Sequence, residues 1–299
     1  MSSAHSNTLS SSIWLGALCL IAAELCFAGV GAVVKALSEQ MNQTQLVFFR
    51  NASALVVLIP IMLRGGLSHA QSVIRTQRLK LHLFRAMSGM VAMYGFFYVL
   101  ATLTLTQAMM ALMLAPFIVP LIAYVWLKER IDFKTAIAIV IGFCGAAIIL
   151  LTKPTPTQSI NVIALTIAIG CAILVATTKC TIRKLTDTEP SLRIVFYFTG
   201  VATLISLVPM LIYWQPLLQQ VIPWLVVMGV LAAIGQLLMT RAFALASPVK
   251  IGLLSYSSLA FAAIIGAIGW QEPITLSLLF GSALVIWAAN LTIRQRWLC

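Results

Sequence analysis

Ten apolar runs, each long enough to cross a lipid bilayer, fill most of the sequence. A transmembrane helix needs about 20 mainly apolar residues, and only 9% of the 299 residues are charged, whereas a soluble domain carries about 25%. Such a chain cannot cover a water-facing surface, so the sequence predicts an all-α integral membrane protein with ten transmembrane helices. The runs lie near Ile13–Leu37, Leu46–Leu63, His82–Leu103, Leu105–Leu127, Phe133–Thr152, Ile160–Ile182, Ser191–Trp214, Pro223–Leu245, Ser247–Trp270 and Ile274–Ile293.

The basic residues predict the orientation of these helices. Most of the 19 Lys and Arg residues fall on one side of the membrane if the N-terminus is inside, and basic residues are held on the cytoplasmic side during insertion. Both termini are therefore expected in the cytoplasm. We interpret Arg85 as part of this signal, and Arg241 and Lys179 as side chains that reach from helix ends towards water. The net charge of +12 then needs no nucleic-acid partner.

The two halves of the chain repeat one arrangement. Glu129 ends the fourth run and Glu272 ends the ninth, and each run follows a short polar turn, at Thr104–Gln107 and Ser247–Lys250. Five helices per half would insert the halves with opposite orientations, which predicts two inverted-topology five-helix repeats. Two ordinary helical hairpins remain the alternative. The expected boundaries are a tail at 1–12, a first repeat at 13–152, a periplasmic linker at 153–159, a second repeat at 160–293 and a tail at 294–299.

Four short motifs carry a family resemblance: Phe48–Arg50, Ala101–Pro116, Lys128–Ile131 and Gln271–Ile274. With them the chain resembles the drug/metabolite transporter superfamily, specifically its EamA-type ten-helix members. The resemblance implies a carrier of small organic solutes in the bacterial inner membrane, built from two inverted repeats. Members mostly export amino acids and related metabolites, and some take up riboflavin or S-adenosylmethionine. The second half departs from the first because it has Leu259 where the first has Pro116.

Glu24 is the acidic residue that the pattern places at membrane depth, in the middle of the first run. The chain has seven Asp and Glu residues, and the other six fall in predicted loops or helix ends. A charge at the bilayer centre costs about 2.5–3.5 kcal/mol, so Glu24 should face a cavity or a partner. It could bind a cation or exchange a proton for substrate, as the similar glutamate of small multidrug resistance proteins does. A structural hydrogen bond to a neighbouring helix is the alternative.

Other polar residues at membrane depth are candidates for the substrate site. Polar groups there must be satisfied by each other, by water or by a ligand, so hydrogen bonding between helices is the competing interpretation for each. For Arg50 the alternative is a side chain that reaches the outer interface. With Glu24, which is also the proton-coupling candidate, the candidates are Tyr94, Tyr98, Gln236, Tyr256, Ser257 and Arg50.

The first hypothesis is therefore a secondary-active transporter, with export favoured, of an amino-acid-like or cationic metabolite, working by alternating access. The alternatives are an importer of a vitamin or nucleoside-like metabolite and a passive channel or membrane subunit. An intramembrane enzyme is disfavoured, because His5, His69 and His82 lie outside the predicted hydrocarbon core and Glu24 has no acidic partner there. The sequence has no GxxxxGK[ST] motif, so we do not expect it to hydrolyse ATP. The spacing of the six cysteines predicts no metal site or cofactor, and a monomer or a homodimer would suffice.

Overall fold

The computed structural model describes residues 2–102, 114–129, 132–151, 162–271 and 276–294. These ranges contain helices and no strand, and six of the described helices are long and apolar enough to cross a membrane. The all-α membrane class is therefore confirmed. The turn at Thr104–Gln107, the linker at 153–159 and Glu272 lie outside the described residues. The helices are α1 (Ser2–Leu37), α2 (Gln43–Leu63), α3 (Gly66–Ile74), α4 (Leu79–Thr102), α5 (Ala115–Ile122), α6 (Phe133–Leu151), α7 (Val162–Thr186), α8 (Ser191–Ile212), α9 (Ile222–Leu245), α10 (Pro248–Ile251), α11 (Ser257–Trp270) and α12 (Leu276–Arg294).

Two groups of three helices form the centre of the bundle. Helix α1 packs along α9 and α11, and we call these three helices group A. Helix α7 packs along α4 and α5, and we call these group B. Each group mixes helices from the two halves of the chain, and exchanging first-half for second-half positions turns one group into the other. At the periphery α2 packs against α8 and α6 against α12, which are also equivalent positions of the two halves.

Helices α6 and α12, which hold equivalent positions in the two halves, run antiparallel. Along α6 and α12, Gly142 lies beside Ala288, whereas Gly145, further along α6, lies beside Gly281, which comes earlier in α12. The approach is closest at Gly145, where an added Cβ would lie 2.7 Å from the carbonyl oxygen of Gly281, so a larger residue would push the helices apart. Small residues serve here to bring two backbones together, as is common in membrane bundles.

The fourth and ninth apolar runs end in the same way. Lys128 follows a π-helical turn, Ala123–Leu127, that extends α5, and it has a φ of 56°. Gln271 follows α11 with a φ of 53°. Each residue comes directly before the repeated glutamate position, and left-handed residues of this kind commonly close helices. The sequence repeat at these positions is therefore accompanied by a matching backbone conformation at Lys128 and Gln271.

A polar cluster fastens the short helix α3 to the start of α8. The Arg193 Nε donates to the carbonyl oxygen of Val73 at 2.9 Å, and Thr76 Oγ1 donates to the Glu189 carboxylate at 2.7 Å. Arg193 also pairs with Glu189. Burial would raise the pKa of the Glu189 carboxyl, but the hydrogen bonds from Thr76 and Arg193, with the Arg193 charge, outweigh it and hold that pKa below its usual value.

Glu189→Gln is expected to lower the thermal stability of the purified protein by a few degrees at neutral pH, because a hydrogen bond to a charged group contributes about 1.5–3 kcal/mol. A depressed folded-state pKa adds stability above the ordinary value of 4.5, and this stability is lost as the pH falls through the folded-state pKa. The variant and the wild type should therefore converge in acid. Asp187→Asn, an exposed acid in the same loop, is the matched control. Equal melting of wild type and Glu189→Gln at neutral pH would contradict the prediction.

Candidate functional site

Glu24 lies inside the bundle and has a charged partner there. Glu24 is 7% exposed, and the Lys179 Nζ on α7 lies 3.9 Å from Glu24 Oε1. The same Nζ donates to Ser255 Oγ at 2.7 Å. Ser255 belongs to a 3-10 segment, Gly252–Tyr256, which joins α10 to α11. The sequence predicted that Glu24 would face a cavity or a partner, and the structure shows an ionic partner, Lys179, that the sequence did not identify.

Arg85 forms a second polar contact at the centre. The residue is 1% exposed, and its guanidinium donates to the carbonyl oxygen of Ile194 at 2.7 Å and to Gln236 Oε1 at 3.0 Å. Its Cζ lies 4.5 Å from the ring centroid of Phe198, in a cation–π contact. Gln236, predicted from its mid-span position on α9, therefore meets a buried cation.

The Glu24–Lys179 pair and the Arg85–Gln236 hydrogen bond lie at a similar depth in the bundle. On α1 and α9, Gly235 lies against Cys26 and Phe27, which puts Gln236 within about a turn of Glu24. On α4 and α7, Ser88 Oγ lies 3.1 Å from Thr178 Oγ1, which puts the Arg85 turn near Lys179. We call the five side chains together the polar layer: Glu24, Lys179, Ser255, Arg85 and Gln236.

Every contact that the two cations make within the polar layer joins group B to group A. Glu24, Gln236 and Ser255, which supply the carboxylate and the neutral acceptors, stand on α1, α9 and the segment leading into α11. Lys179 and Arg85, the two cations, stand on α7 and α4. Charge is therefore separated across the interface between the groups. A small molecule that entered this interface would meet a carboxylate on one side and two cations on the other.

One interpretation made from the sequence is wrong. Lys179 does not extend from a helix end towards water, because its side chain is 13% exposed and bonded inside the bundle. Arg85, which we interpreted as part of the topology signal, is almost completely buried. Arg78 and Lys80, near the start of the same helix, are exposed. In the structure Arg85 lies more than one turn inside α4, and Lys179 lies about two turns inside α7.

Tyr94 and Tyr98 lie together, but away from the polar layer contacts. They line an apolar groove of ≈ 430 Å³ with neighbours from α4, α7 and α8, among them Met87 and Met90. The Tyr94 hydroxyl is buried and has no hydrogen-bond partner among the described residues, whereas Tyr98 is 45% exposed. The two tyrosines share one face of α4, and this face is largely apolar.

Ser255, Tyr256 and Ser257 are neighbouring polar residues on the ninth apolar run, and each makes a different contact. Tyr256 is 1% exposed and packs among Ala138, Val285 and Ala288, between α6 and α12. The Ser257 hydroxyl donates to the carbonyl oxygen of Leu254 in its own segment at 2.6 Å. Neither is brought to the Glu24–Lys179 pair by these contacts. Ser255, which was not among the candidates, is the serine of this cluster that contacts Lys179.

Arg50 points across the bundle towards α4. Its NH1 donates weakly to Asn51 Oδ1 at 3.4 Å and lies 3.7 Å from the Met93 sulfur. Its hydrogen-bond partners among the described residues are thus neutral, and Met93 is adjacent to Tyr94. Arg50 and the tyrosines therefore occupy one side of the bundle, apart from Glu24.

On the side of the polar layer where α1 begins, groups A and B are closed against each other. The Arg183 guanidinium of α7 donates to the carbonyl oxygens of Phe243 and Ala244 at 2.9 and 3.2 Å. Ser247 donates to the Glu129 carboxylate. We call these two polar links the gate contacts. Beside them Ile182 of group B packs into an apolar cluster with residues of α1 and α9.

No set of three or more His, Cys, Asp or Glu side chains within the described ranges could hold a metal ion. The side chains of the polar layer can instead form ion pairs and hydrogen bonds. They can bind and release a polar solute, and they can exchange one ionic partner for another.

Several known transporters are similar in sequence to this chain. The pseudopaline exporter CntI of Pseudomonas aeruginosa is 28% identical over 279 residues, covering 91% of this chain and 93% of its own. A riboflavin transporter of Vibrio cholerae is 27% identical over 278 residues, covering 91% and 90%. An S-adenosylmethionine uptake transporter of Rickettsia prowazekii is 25% identical over 67% of this chain and 66% of its own.

A solved crystal structure has the same fold, with a TM-score of 0.80 over 95% of this chain and 97% of its own, at 16% sequence identity. The sequence pattern of one family matches the chain twice, at residues 14–151 and 162–294, which together cover most of its length. The chain belongs to the EamA-like transporter family.

Proposed function

We propose that this small-molecule transporter is a secondary-active carrier that binds its solute in the polar layer and works by alternating access. The observation that carries the proposal is that Lys179 and Arg85 of group B make their polar layer contacts to group A. A solute that replaces these contacts becomes the link between the groups. Its arrival and departure are then coupled to whether the groups are closed or apart.

The carrier is proposed to have ten transmembrane helices in two inverted five-helix repeats, at 13–152 and 160–293, with a linker at 153–159 and tails at 1–12 and 294–299. The antiparallel packing of α6 on α12 and the exchange relation between groups A and B support this arrangement. An inverted pair of repeats gives the carrier two related conformations, each open to one side, with the solute site near the midplane.

Glu24 is proposed to couple protons to the movement of solute. While paired with Lys179 it can remain charged at this depth, because a buried charge is tolerated when it has an ionic partner. When groups A and B separate, Glu24 and Lys179 part. The carboxyl then needs a proton or a cationic group of the solute in place of Lys179.

Export is the favoured direction, and both termini are proposed to lie in the cytoplasm of a bacterium, with the carrier in the inner membrane. The pseudopaline exporter supports export, whereas the riboflavin and S-adenosylmethionine proteins support uptake of a vitamin or nucleoside-like metabolite as the second candidate. One chain contains both groups, so a monomer would suffice, and a homodimer would hold two sites.

Reconstituted proteoliposomes test the proposal. A thermal-shift screen against amino acids, nucleosides, riboflavin, S-adenosylmethionine and quaternary amines selects the solutes, and mass spectrometry measures their entry with and without an imposed pH gradient. We expect at least one solute to accumulate above its external concentration when the gradient is present, and a protonophore to abolish the excess. Empty liposomes are the control. Entry that stops at equal concentrations would indicate a passive channel, and no entry would contradict transport.

A further inference from the structure

Arg85 is a buried cation that contacts no acid among the residues that the structure describes. Its partners are the carbonyl oxygen of Ile194, the amide oxygen of Gln236 and the face of Phe198. Lys179 already takes the Glu24 carboxylate as its ionic partner. The polar layer therefore holds two cations and one anion, which leaves an excess positive charge at Arg85.

The guanidinium also has hydrogens to spare. Arginine carries five N–H groups and no acceptor. Each terminal nitrogen of Arg85 has one acceptor for its two N–H groups, and the buried Nε has none among the described residues. Three N–H groups of a residue that is 1% exposed thus have no acceptor within the described part of the chain. The Nε and a neighbouring terminal nitrogen form the fork that binds a carboxylate through two parallel hydrogen bonds.

Burial of this kind is expensive unless a ligand offsets it. An ion that leaves water without a counter-charge carries a penalty of several kcal/mol, and ionisable groups at membrane depth are rare outside functional sites. The cation–π contact and two neutral acceptors reduce the penalty without neutralising the charge. A role in membrane insertion would not require burial, because exposed Arg78 and Lys80 already supply basic residues at the start of α4.

We propose that Arg85 binds a carboxylate group of the transported solute, and that the substrates of this carrier are therefore carboxylate-bearing metabolites. The inference rests on the proposed function, and it names the chemical class that the same site takes. Gln236 holds the guanidinium while the site is empty, and a solute carboxylate replaces it by accepting from the Nε and its neighbouring terminal nitrogen. Glu24, on the opposite group, is placed to receive an amine or a hydroxyl of the same solute. This arrangement favours amino-acid-like solutes over purely cationic ones.

Matched probe pairs test the charge requirement on the wild-type protein. Thermal unfolding is measured with L-alanine and L-alaninamide, with L-phenylalanine and L-phenylalaninamide, and with succinate and succinamide. We expect at least one carboxylate to raise the melting temperature and its amide to have no effect. Equal shifts within every pair, shifts caused by amides alone, or no shift with any carboxylate would overturn the proposal.

Variants then test the residue. For the carboxylate that stabilises the wild type, we expect Arg85→Met to weaken binding by about ten- to a hundredfold, as for the loss of a charge-assisted bidentate contact. Arg85→Lys, which keeps the charge but not the fork, should lie in between. Arg78→Met, which removes an exposed arginine near the start of the same helix, is the matched control and should bind as the wild type does. If Arg85→Met fails to fold, Arg85→Lys decides the matter, and its binding with unchanged affinity would overturn the assignment.

Transport separates this inference from the proposed function. Accumulation of a solute that lacks any carboxylate, with Arg85→Lys transporting at the wild-type rate, would overturn the carboxylate site and leave the carrier intact. Carboxylate binding that depends on Arg85 in a protein that moves no solute would support the site and contradict the carrier.

Discussion

Glu24→Gln is expected to abolish the dependence of transport on the pH gradient. The amide has nearly the same shape but cannot take up or release a proton, so the variant has no way to bind protons differently in its two conformations. The ratio of transport rates with and without the gradient should fall to about one, because a ligand shifts a conformational equilibrium only through differential affinity. The measurement is solute flux in proteoliposomes across a series of imposed gradients.

The melting temperatures of Glu24→Gln and Lys179→Gln test whether Glu24 and Lys179 act as a pair. Breaking a buried ion pair from one side costs about 3–5 kcal/mol, because it leaves a charge without a partner. Glu24→Gln should therefore fold but melt at a lower temperature, as should Lys179→Gln. The double variant, Glu24→Gln with Lys179→Gln, should melt higher than the additive expectation.

Glu39→Gln is the matched control, because Glu39 is an exposed acid just beyond the end of α1. It should leave both flux and melting unchanged. A Glu24→Gln protein that keeps the wild-type response to pH would remove Glu24 from the coupling mechanism. Additive losses in the double variant would show that the 3.9 Å separation from Lys179 contributes no pairwise energy.

The sequence alone identified the acid at membrane depth but not its partner. Glu24 could be recognised because a carboxylate in the middle of an apolar run is conspicuous whatever the helix packs against. Lys179 and Arg85 could not, because a long basic side chain near a helix end can extend to water or turn into the bundle. Which of these it does depends on the helices beside it, and tertiary packing is not visible in one sequence.

The same limit applies to hydroxyl groups. Ser255, Tyr256 and Ser257 are consecutive, and all three were expected at similar depth. The 3-10 segment that ends at Tyr256 directs Ser255 to Lys179 and Tyr256 into the apolar contact of α6 with α12. The first half has Pro116 in the first turn of α5, whereas the second half departs from a regular α-helix at Gly252–Tyr256, ahead of its counterpart Leu259. The sequence predicted a helix here, but it did not predict the 3-10 segment at Gly252–Tyr256.

The gate contacts predict where the carrier can be locked. If groups A and B must part for a solute to pass, a covalent link between them on that side should stop transport. The Glu129→Cys/Ser247→Cys pair places thiols where the two side chains now form a hydrogen bond between the groups. Joining them with a short bifunctional methanethiosulfonate should abolish flux, and reduction should restore it. Solute flux in proteoliposomes before and after each treatment is the measurement.

A link within one group provides the matched control. Ser88 and Thr178 lie on α4 and α7, both in group B, with their hydroxyl oxygens 3.1 Å apart, so cysteines there are close enough for a disulfide. Because α4 and α7 move as one body in the proposed mechanism, this link should leave flux near the level of the reduced protein. Each variant with only one of the introduced cysteines, treated with the same reagents, measures any effect of the native cysteine thiols on flux. Block by the Ser88–Thr178 link would mean that group B itself changes shape. Continued flux with Glu129 and Ser247 joined would mean that the carrier does not open between groups A and B on this side.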